Sequence, residues 1–248
     1  MRQLLSEILR LAELELWDQR PEVPPQLLKL VNQCDSDFVH DYYAVDSGYV
    51  VLPVGGSEVL IQSIVAVGPD VKRRFVAQLA SGDVHVQARL NEIRFAESMQ
   101  GLVLVDGPLT PYVNRSKVVG VSKDPKLVRY GPRIGDEELR TLFVKASKAV
   151  GERRLASLIL AKAPRGAYLV PVEVGDFYGT FFKSDWTLYV EFPRWVRVDE
   201  LCSLFRRYPL RLRVAHHLAK VNKKYLYSLR FILSNVVKPL ELSFRDVL

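Results

Sequence analysis

The feature that most constrains the fold is an alternation between two hydrophobic periods along the chain. Segments of β-forming residues, such as the stretch 41–56, are interleaved with segments in which apolar residues recur every three to four positions, as in 1–17. The first pattern is typical of strands and the second of amphipathic helices. Because strands and helices that alternate in this way pack as layers, we predict an α/β fold with a mixed sheet flanked by helices.

The predicted elements follow these periods and the residues that end them. The predicted helices are 1–17, a short turn within 26–33, 91–100, 136–154, 199–209 and 215–235. The predicted strands are 41–56, 57–69, 75–90, 101–109, 157–162, 166–174 and 187–193. Since no repeat or linker interrupts them, we predict one domain over 1–248, with a helical extension over 1–40 and a core over 41–248 that ends in helices.

Composition and targeting signals exclude several classes of protein. The 248 residues are 48% hydrophobic and 25% charged, which is typical of globular proteins rather than disordered or disulfide-rich ones. No run approaches the about 18 apolar residues of a membrane span, and no secretory signal follows Met1. We therefore expect a cytoplasmic protein that does not associate with membranes.

Two cysteines are far apart in the sequence and have no metal-ligand spacing. Cys34 and Cys202 form neither a CxxC pair nor a cysteine–histidine cluster, so zinc-ribbon, iron–sulfur and thioredoxin-like sites are not predicted. In a cytoplasmic protein, we expect both to be reduced thiols. The chain also lacks a phosphate loop, a dinucleotide-binding glycine motif, a nucleophile elbow and an HExxH helix, which disfavours ATP hydrolysis, dinucleotide redox chemistry and zinc proteolysis.

Two acidic residues each end an apolar strand-like run. Asp46 lies in YYAVDSGYV and Asp106 in LVLVDGPL. A carboxylate among buried strand residues is unfavourable unless it is paired, hydrogen-bonded or bound to a cation. If the two strands are neighbours, the carboxylates repel each other unless a divalent ion lies between them. Each alone is also consistent with an ordinary turn residue at a strand end.

Three further residues could complete such a site. Glu92 lies on the helix before the Asp106 strand, and Glu97 is the alternative third acid, although the two point in different directions around a helix. His216 could bind a metal or carry a proton, or it could be a core histidine. We hypothesise two-metal hydrolysis of phosphodiester bonds, because oxygen ligands with one histidine suit Mn²⁺ or Mg²⁺.

The charge of the chain favours a polyanionic partner. Lys and Arg number 35 against 28 Asp and Glu, giving a net charge of +7, and basic residues concentrate in 114–133 and 206–230. Tyrosines such as Tyr208 lie among them, the combination that binds single-stranded nucleic acid. A solvated basic surface is the alternative interpretation. The candidate DNA-binding residues are Arg115, Lys117, Lys123, Lys126, Arg129, Arg213 and Lys220.

Five short motifs in this order resemble the NurA family of nucleases. They are AVDSG at 44–48, a helix glutamate before the second acidic strand, VDGPL at 105–109, GVSK at 120–123, and YP-x5-AH-x2-A at 208–219. The resemblance implies an RNase H-like core and a metal-dependent active site that prefers manganese. It also implies single-strand endonuclease and 5′-to-3′ exonuclease activity in DNA end resection, a homodimer, and the HerA translocase as partner.

The resemblance also implies roles for individual residues. Asp46, Glu92 and Asp106 would be metal-site acids, Tyr208 and His216 would be the carboxyl-terminal catalytic residues, with His216 also a metal ligand, and Lys123 would contact phosphate. Tyr208 could stack on a base or orient a water molecule.

Two other functions fit the same sequence. A non-catalytic nucleic-acid-binding subunit of a repair complex would explain the basic segments but not the paired aspartates. A docking protein could use the apolar face of the first helix, which includes Leu4, Ile8 and Leu11.

Overall fold

The computed structural model describes residues 23–37, 41–54, 56–123, 128–221, 227–228 and 231. The predicted helix 1–17, Lys126 and most of the predicted helix beyond residue 221 lie outside this part of the chain. The strands within it are β1 (Val31–Asn32), β2 (Tyr42–Val54), β3 (Ser57–Val67), β4 (Val71–Leu79), β5 (Leu102–Asp106), β6 (Val119–Ser122), β7 (Tyr168–Leu169), β8 (Val172–Val174), β9 (Phe177–Lys183) and β10 (Thr187–Pro193). The α-helices are α1 (Val84–Glu97), α2 (Glu137–Val150), α3 (Glu152–Ile159), α4 (Val198–Cys202) and α5 (Leu210–Ala219), with 3₁₀ turns at Pro25–Leu30, Gly131–Arg133 and Leu204–Arg206.

All ten of these strands belong to one mixed sheet. Its order is β1-β7-β9-β10-β6-β5-β2-β3-β4, and β8 pairs with β9. The strands β2, β3 and β4 form an antiparallel meander, α1 crosses over, and β5 and β6 follow parallel to β2. A meander, a crossover helix and two parallel strands in the order β4-β3-β2-β5-β6 are the RNase H-like arrangement. The predicted α/β class and RNase H-like fold are therefore confirmed.

Helices cover both faces of the sheet around β2 and β5. Because successive strand residues point to opposite faces, Val45 packs in the core beneath Ile93 of α1, while Ala44 packs in the core that contains Leu212 of α5. A third core lies under α2 and α3, where Phe143 packs close to Tyr130. The sheet thus presents alternate residues of β2 to α1 and to α5.

The segment predicted as one strand over 75–90 is two elements. The strand β4 ends at Leu79, and α1 begins at Val84, well before the predicted start at residue 91. The carboxylate of Asp83 accepts hydrogen bonds from the backbone N–H groups of His85 and Val86, and this cap starts the helix. The prediction of a strand and its approach over 75–90 agrees with β4 as far as Leu79 and is wrong from Val84 onward, where the β-forming valines concealed the capping signal.

Three more predictions differ from the structure. The apolar run 157–162, predicted as a strand, includes the end of α3, since short apolar runs do not distinguish strand from helix. The strands β6 and β9 were not predicted, because basic residues around β6 obscured its apolar core and Gly179 interrupts the pattern of β9. In place of one helix over 215–235, α5 starts at Leu210 and ends at Ala219, and the described residues 227–228 and 231 are also helical.

The two cysteines form a disulfide, which corrects the prediction of free thiols. Cys34 follows β1, Cys202 ends α4, and their Cα atoms are 5.5 Å apart. The side chain of Arg206 reinforces this junction by donating to Asp37 Oδ1 at 2.7 Å. The bond joins the segment that contains β1 to the part of the chain that precedes α5. Sequence spacing alone could not reveal it, because the fold brings together residues 168 positions apart.

No helix among the described residues is long and apolar enough to cross a membrane.

We predict that the disulfide contributes to stability. Cross-linking residues 168 positions apart restricts the unfolded chain, so reduction or the C34S/C202S double variant should lower the free energy of unfolding by about 2–5 kcal/mol. Urea unfolding of the oxidised, reduced and double-variant proteins measures this difference. Equal unfolding midpoints for the oxidised and reduced proteins would contradict the prediction.

Candidate metal centre

The two strand-end aspartates lie on neighbouring parallel strands. In the pairing of β2 with β5, Val45 is opposite Val105, so Asp46 and Asp106 follow at the same edge of the sheet. Each aspartate is two residues after a residue that faces α5, Ala44 on β2 and Leu104 on β5, so both aspartates lie on that same face. The fold therefore places the two carboxylates on one face and at one edge, as the sequence pattern predicts for a shared site.

The third member of the group comes from α5. His216 Nδ1 lies 2.7 Å from Asp46 Oδ2, while the other carboxylate oxygen, Oδ1, accepts a hydrogen bond from the Ser47 N–H at 2.7 Å. The helix can come this close because residue 48 is glycine. A Cβ on Gly48 would lie 2.6 Å from the backbone oxygen of Ala219, closer than such atoms approach, so any larger residue would push α5 away from β2.

Asp46, Asp106 and His216 form a group of donors suited to a divalent cation. One ligand atom from each lies within 4.8 Å of the others. Burial raises the pKa of Asp46, and the nearby charge of Asp106 raises it further, whereas His216 and the Ser47 N–H partly offset the shift. A cation between the carboxylates would relieve this repulsion, and two oxygen donors with one imidazole suit Mn²⁺ or Mg²⁺. The residues present therefore fit such an ion.

Glu92 approaches this group from the opposite side of the sheet. Its carboxylate accepts hydrogen bonds from Arg89 Nη1 and from the Ser47 hydroxyl, each at 2.5 Å. Burial raises its pKa to about 8; Arg89 and Ser47 oppose the shift, and the charges of Asp46 and Asp106 add to it. Both oxygens are thus engaged by protein groups, and Glu92 is not among the three clustered donors. This differs from the expected direct ligation, because α1 packs on the face away from α5.

The alternative acid, Glu97, is elsewhere. It lies at the last position of α1 and accepts a hydrogen bond from the Ser116 hydroxyl at 2.7 Å. Of the two helix glutamates, Glu92 is therefore the one near the aspartates, where it interacts electrostatically with both.

Lys123 and Tyr208 border the aspartates. Lys123 Nζ is 3.1 Å from Asp106 Oδ2 and 4.8 Å from the centre of the Tyr208 ring. Burial acts to lower the pKa of Lys123, but Tyr208 and Asp106 outweigh it and the pKa is raised. Burial and the charge of Asp106 raise the pKa of Tyr208 to about 12. At neutral pH the site therefore holds an ammonium group and a neutral phenol beside Asp106.

The other predicted DNA-binding residues are divided by the fold. Arg213 lies over the Tyr208 ring at 5.7 Å, and Lys220 is exposed just after α5, so both border the site face. Arg115 and Lys117 precede β6 and therefore lie at the opposite edge of the sheet, where they contact Asp176 and the Met99 carbonyl.

The prediction that Arg129 binds DNA is corrected by its burial. Its guanidinium is 2.8 Å from Glu191 Oε1, and both side chains are buried. The same glutamate accepts hydrogen bonds from the Leu109 and Thr110 N–H groups, so the pair fixes the loop that follows Asp106. Arg129 thus supports the site from below the surface rather than contacting a ligand.

Sequence reasoning missed two residues that hold the site together. Arg89 donates to the Asp106 carbonyl at 2.5 Å and to the Pro108 carbonyl at 2.9 Å while it pairs with Glu92. Ser47 connects Glu92 to the backbone next to Asp46. Arg89 is three residues before Glu92, which is one turn of a helix, and that spacing was the available signal.

Comparison with known proteins identifies the family. The family model for the NurA domain matches residues 40–221. The chain belongs to the NurA family. This match confirms the resemblance carried by the five motifs and includes every residue of the candidate centre. Comparison with curated proteins gives no match.

Solved NurA structures share the fold of this NurA-family chain at low sequence identity. The NurA nuclease from Sulfolobus solfataricus is 12% identical, with a TM-score of 0.55, and the match covers 96% of this chain and 97% of that one. NurA with manganese is 12% identical, with a TM-score of 0.58 over 97% and 99% of the two chains. NurA bound to dAMP and manganese is 11% identical, with a TM-score of 0.55 over 96% and 97%. These matches show a shared fold over nearly the whole chain.

We predict that Glu92 makes stability depend on pH in the metal-free protein. The pKa of Glu92 is raised from its ordinary value of 4.5 to about 8 in the folded protein. Between these two pH values the folded state therefore keeps a proton that the unfolded state has released. The free energy of unfolding should be highest below pH 4.5 as far as this group contributes, and should fall as the pH rises toward about 8. E92Q should flatten this slope.

Urea unfolding at several pH values, with a chelator present, measures the slope. E97Q is the matched control, since Glu97 is on the same helix but away from the aspartates. A slope that is as steep in E92Q as in the unmodified protein would show that Glu92 titrates normally.

Proposed function

We propose that this NurA-family chain is a metal-dependent nuclease that hydrolyses phosphodiester bonds in DNA. The observation that carries the proposal is the convergence of Asp46, Asp106 and His216, with ligand atoms within 4.8 Å of one another, beside the Lys123 ammonium. Paired carboxylates that bind divalent cations next to a phosphate-binding cation are the parts that such hydrolysis requires.

Each residue has a defined task in this proposal. Asp46, Asp106 and His216 would hold one or two divalent cations, which would supply activation of the attacking water and stabilisation of the leaving oxyanion. The side chain of His216 is half-exposed, so its imidazole could leave Asp46 and bind the cation. If it does not bind the cation, the imidazole could carry a proton. Glu92 and Arg89 keep the Asp106 carbonyl and Ser47 in position from the other face.

Lys123 would bind the phosphate next to the cleaved bond. Its ammonium group pairs with Asp106 at 3.1 Å, and with a cation held at that carboxylate it would be available to a phosphate oxygen. Tyr208 is buried under Lys123 and Arg213, and its neutral phenol would support their positions.

The metal and the substrate are proposed with the help of the structural relatives. Solved relatives contain manganese and dAMP, a DNA nucleotide, and their folds match this chain over nearly its full length. Manganese is therefore the proposed ion, with magnesium as a substitute that the same donors would accept. Single-strand endonuclease and 5′-to-3′ exonuclease activity, a homodimer and association with HerA in end resection are part of the proposal, and family membership is what supports them.

A non-catalytic DNA-binding subunit explains the site less well. The Lys123 ammonium offsets the charge of Asp106, but among the described residues the buried carboxylate of Asp46 contacts His216 and the Ser47 N–H, and neither is a permanent cation. Burial and the charge of Asp106 therefore leave the charged form of Asp46 unfavourable without a metal. The pair therefore favours a metal-binding site, and with it the enzyme.

We predict that D46N abolishes metal-dependent cleavage while the protein stays folded. Asparagine keeps the shape of the side chain but removes the charge that the cation needs, so cleavage of labelled single-stranded DNA with Mn²⁺ should fall by about a hundredfold or more. Thermal unfolding without metal should show a stability equal to or above that of the unmodified protein, since one of two repelling carboxylates is gone.

E97Q is the control for this experiment, because Glu97 is an acid outside the donor group. Full cleavage by D46N, or cleavage by the unmodified protein that a chelator does not reduce, would reject the proposed metal centre.

We predict that K123A weakens DNA binding and reduces its salt dependence. Removal of one phosphate contact should make the slope of log affinity against log salt shallower by about 0.7 for single-stranded DNA. Fluorescence anisotropy at several salt concentrations, in the D106N background, measures the slope, because D106N removes a proposed metal ligand and also the carboxylate that pairs with Lys123. K29A is the matched control, since Lys29 is exposed at the far end of the sheet beside β1. An unchanged slope in K123A would exclude a phosphate contact.

A further inference from the structure

An exposed tryptophan lies at the edge of the candidate centre. Trp186 immediately precedes β10, and its ring stacks on that of Tyr208, with centroids 5.3 Å apart and an interplanar angle of 28°. The side chain is 40% exposed. Because one face of the indole is against Tyr208, its exposure belongs to the opposite face and the ring edges.

The sheet register places Trp186 at the same edge as the aspartates. The strand β10 runs antiparallel to β6, and Tyr189 pairs with Ser122 near the end of β6. The start of β10 is therefore beside the carboxyl ends of β5 and β6, where Asp106 lies. The contacts from Trp186 through Tyr208 and Lys123 to Asp106 keep the indole within about 13 Å of the carboxylate, a distance of about four stacked nucleotides.

Tyr208 itself has no surface left for a base. It is 5% exposed, and its ring is contacted by Lys123 at 4.8 Å and Arg213 at 5.7 Å as well as by Trp186. The alternative that Tyr208 stacks on a base is therefore incompatible with its packing. Its role is to support the indole and the two cations from beneath.

The surroundings of Trp186 match those of a single-strand binding surface. The exposed Arg213 shares the Tyr208 ring with the indole, and Arg165 lies beside Asp185, the residue before Trp186, at 3.4 Å. Cations that follow a backbone next to a free aromatic face bind unpaired nucleotides, because every base offers a face for stacking. A paired base has both faces covered by its neighbours in the duplex.

We infer that Trp186 stacks on an unpaired nucleobase of a single DNA strand whose phosphate, within about four nucleotides, lies at the metal centre. This inference rests on the proposed nuclease function and adds to it a residue that selects single-stranded substrate. The indole makes no contact with the reacting atoms. It positions the strand by holding a base while Lys123 and Arg213 hold phosphates.

The test measures DNA affinity in the D46N background, with a chelator present so that no substrate is cleaved. Fluorescence anisotropy gives the affinity for a short single strand, for an abasic strand of the same length, and for a blunt duplex. The variants are W186A, the conservative W186F, and the control W195A. Trp195 is 68% exposed in the turn after β10, which is the opposite edge of the sheet.

The expected result is a loss that depends on the presence of a base. W186A should weaken binding of the normal single strand by about 5- to 100-fold, W186F should restore most of the affinity, and W195A should have no effect. On the abasic strand and on the duplex, W186A and its parent should bind equally. The parent should also show tryptophan quenching by the normal strand that W186F lacks.

Two results would overturn the inference. One is an affinity of W186A for the normal strand within about twofold of its parent. The other is an equal loss on normal and abasic strands, which would mean that the indole acts through the packing of Tyr208.

Thermal unfolding of W186A checks that the half-exposed site tolerates alanine. Cleavage by the unmodified protein and by D46N tests the nuclease separately, so either proposal can fail alone.

Discussion

The parallel pairing of β2 with β5 is the constraint on which the rest of the site depends. It places Asp46 and Asp106 side by side at one edge of the sheet, where burial and the charge of Asp106 raise the pKa of Asp46. Two side chains contact these carboxylates: His216 of α5 lies against Asp46, and Lys123 lies against Asp106. Because the two carboxylates repel each other, a divalent cation bound between them would stabilise the protein.

The two faces of the sheet have different tasks. On the α5 face are the groups that can meet a ligand, including His216, Lys123 and the aromatic pair at Tyr208. On the α1 face, Arg89 and Glu92 form a buried pair that holds the backbone on either side of the aspartates. Because strand residues alternate between faces, one strand supplies Asp46 to the first group and Ser47 to the second.

The sequence was sufficient for the parts that depend on local pattern. The α/β class, the strand-end aspartates and the order of the family motifs follow from residues close together in the chain, and the family match confirms the resemblance. The rest depends on tertiary contacts. The Cys34–Cys202 bond, the burial of Arg129 against Glu191, and the hydrogen bond from Ser47 to Glu92 all join segments whose proximity no local pattern states. Trp186 was missed because a lone tryptophan in a turn carries no periodicity.

The separation of Asp46 from His216 along the chain determines when the site can be completed during synthesis. The two residues are 170 positions apart, and α5 reaches its place only by the close approach that Gly48 permits. During synthesis the meander and both aspartates emerge long before the histidine does. A nascent or truncated chain that stops before Leu210 contains both aspartates but not the imidazole, and the full set of donors exists only in a polypeptide that has been translated beyond α5.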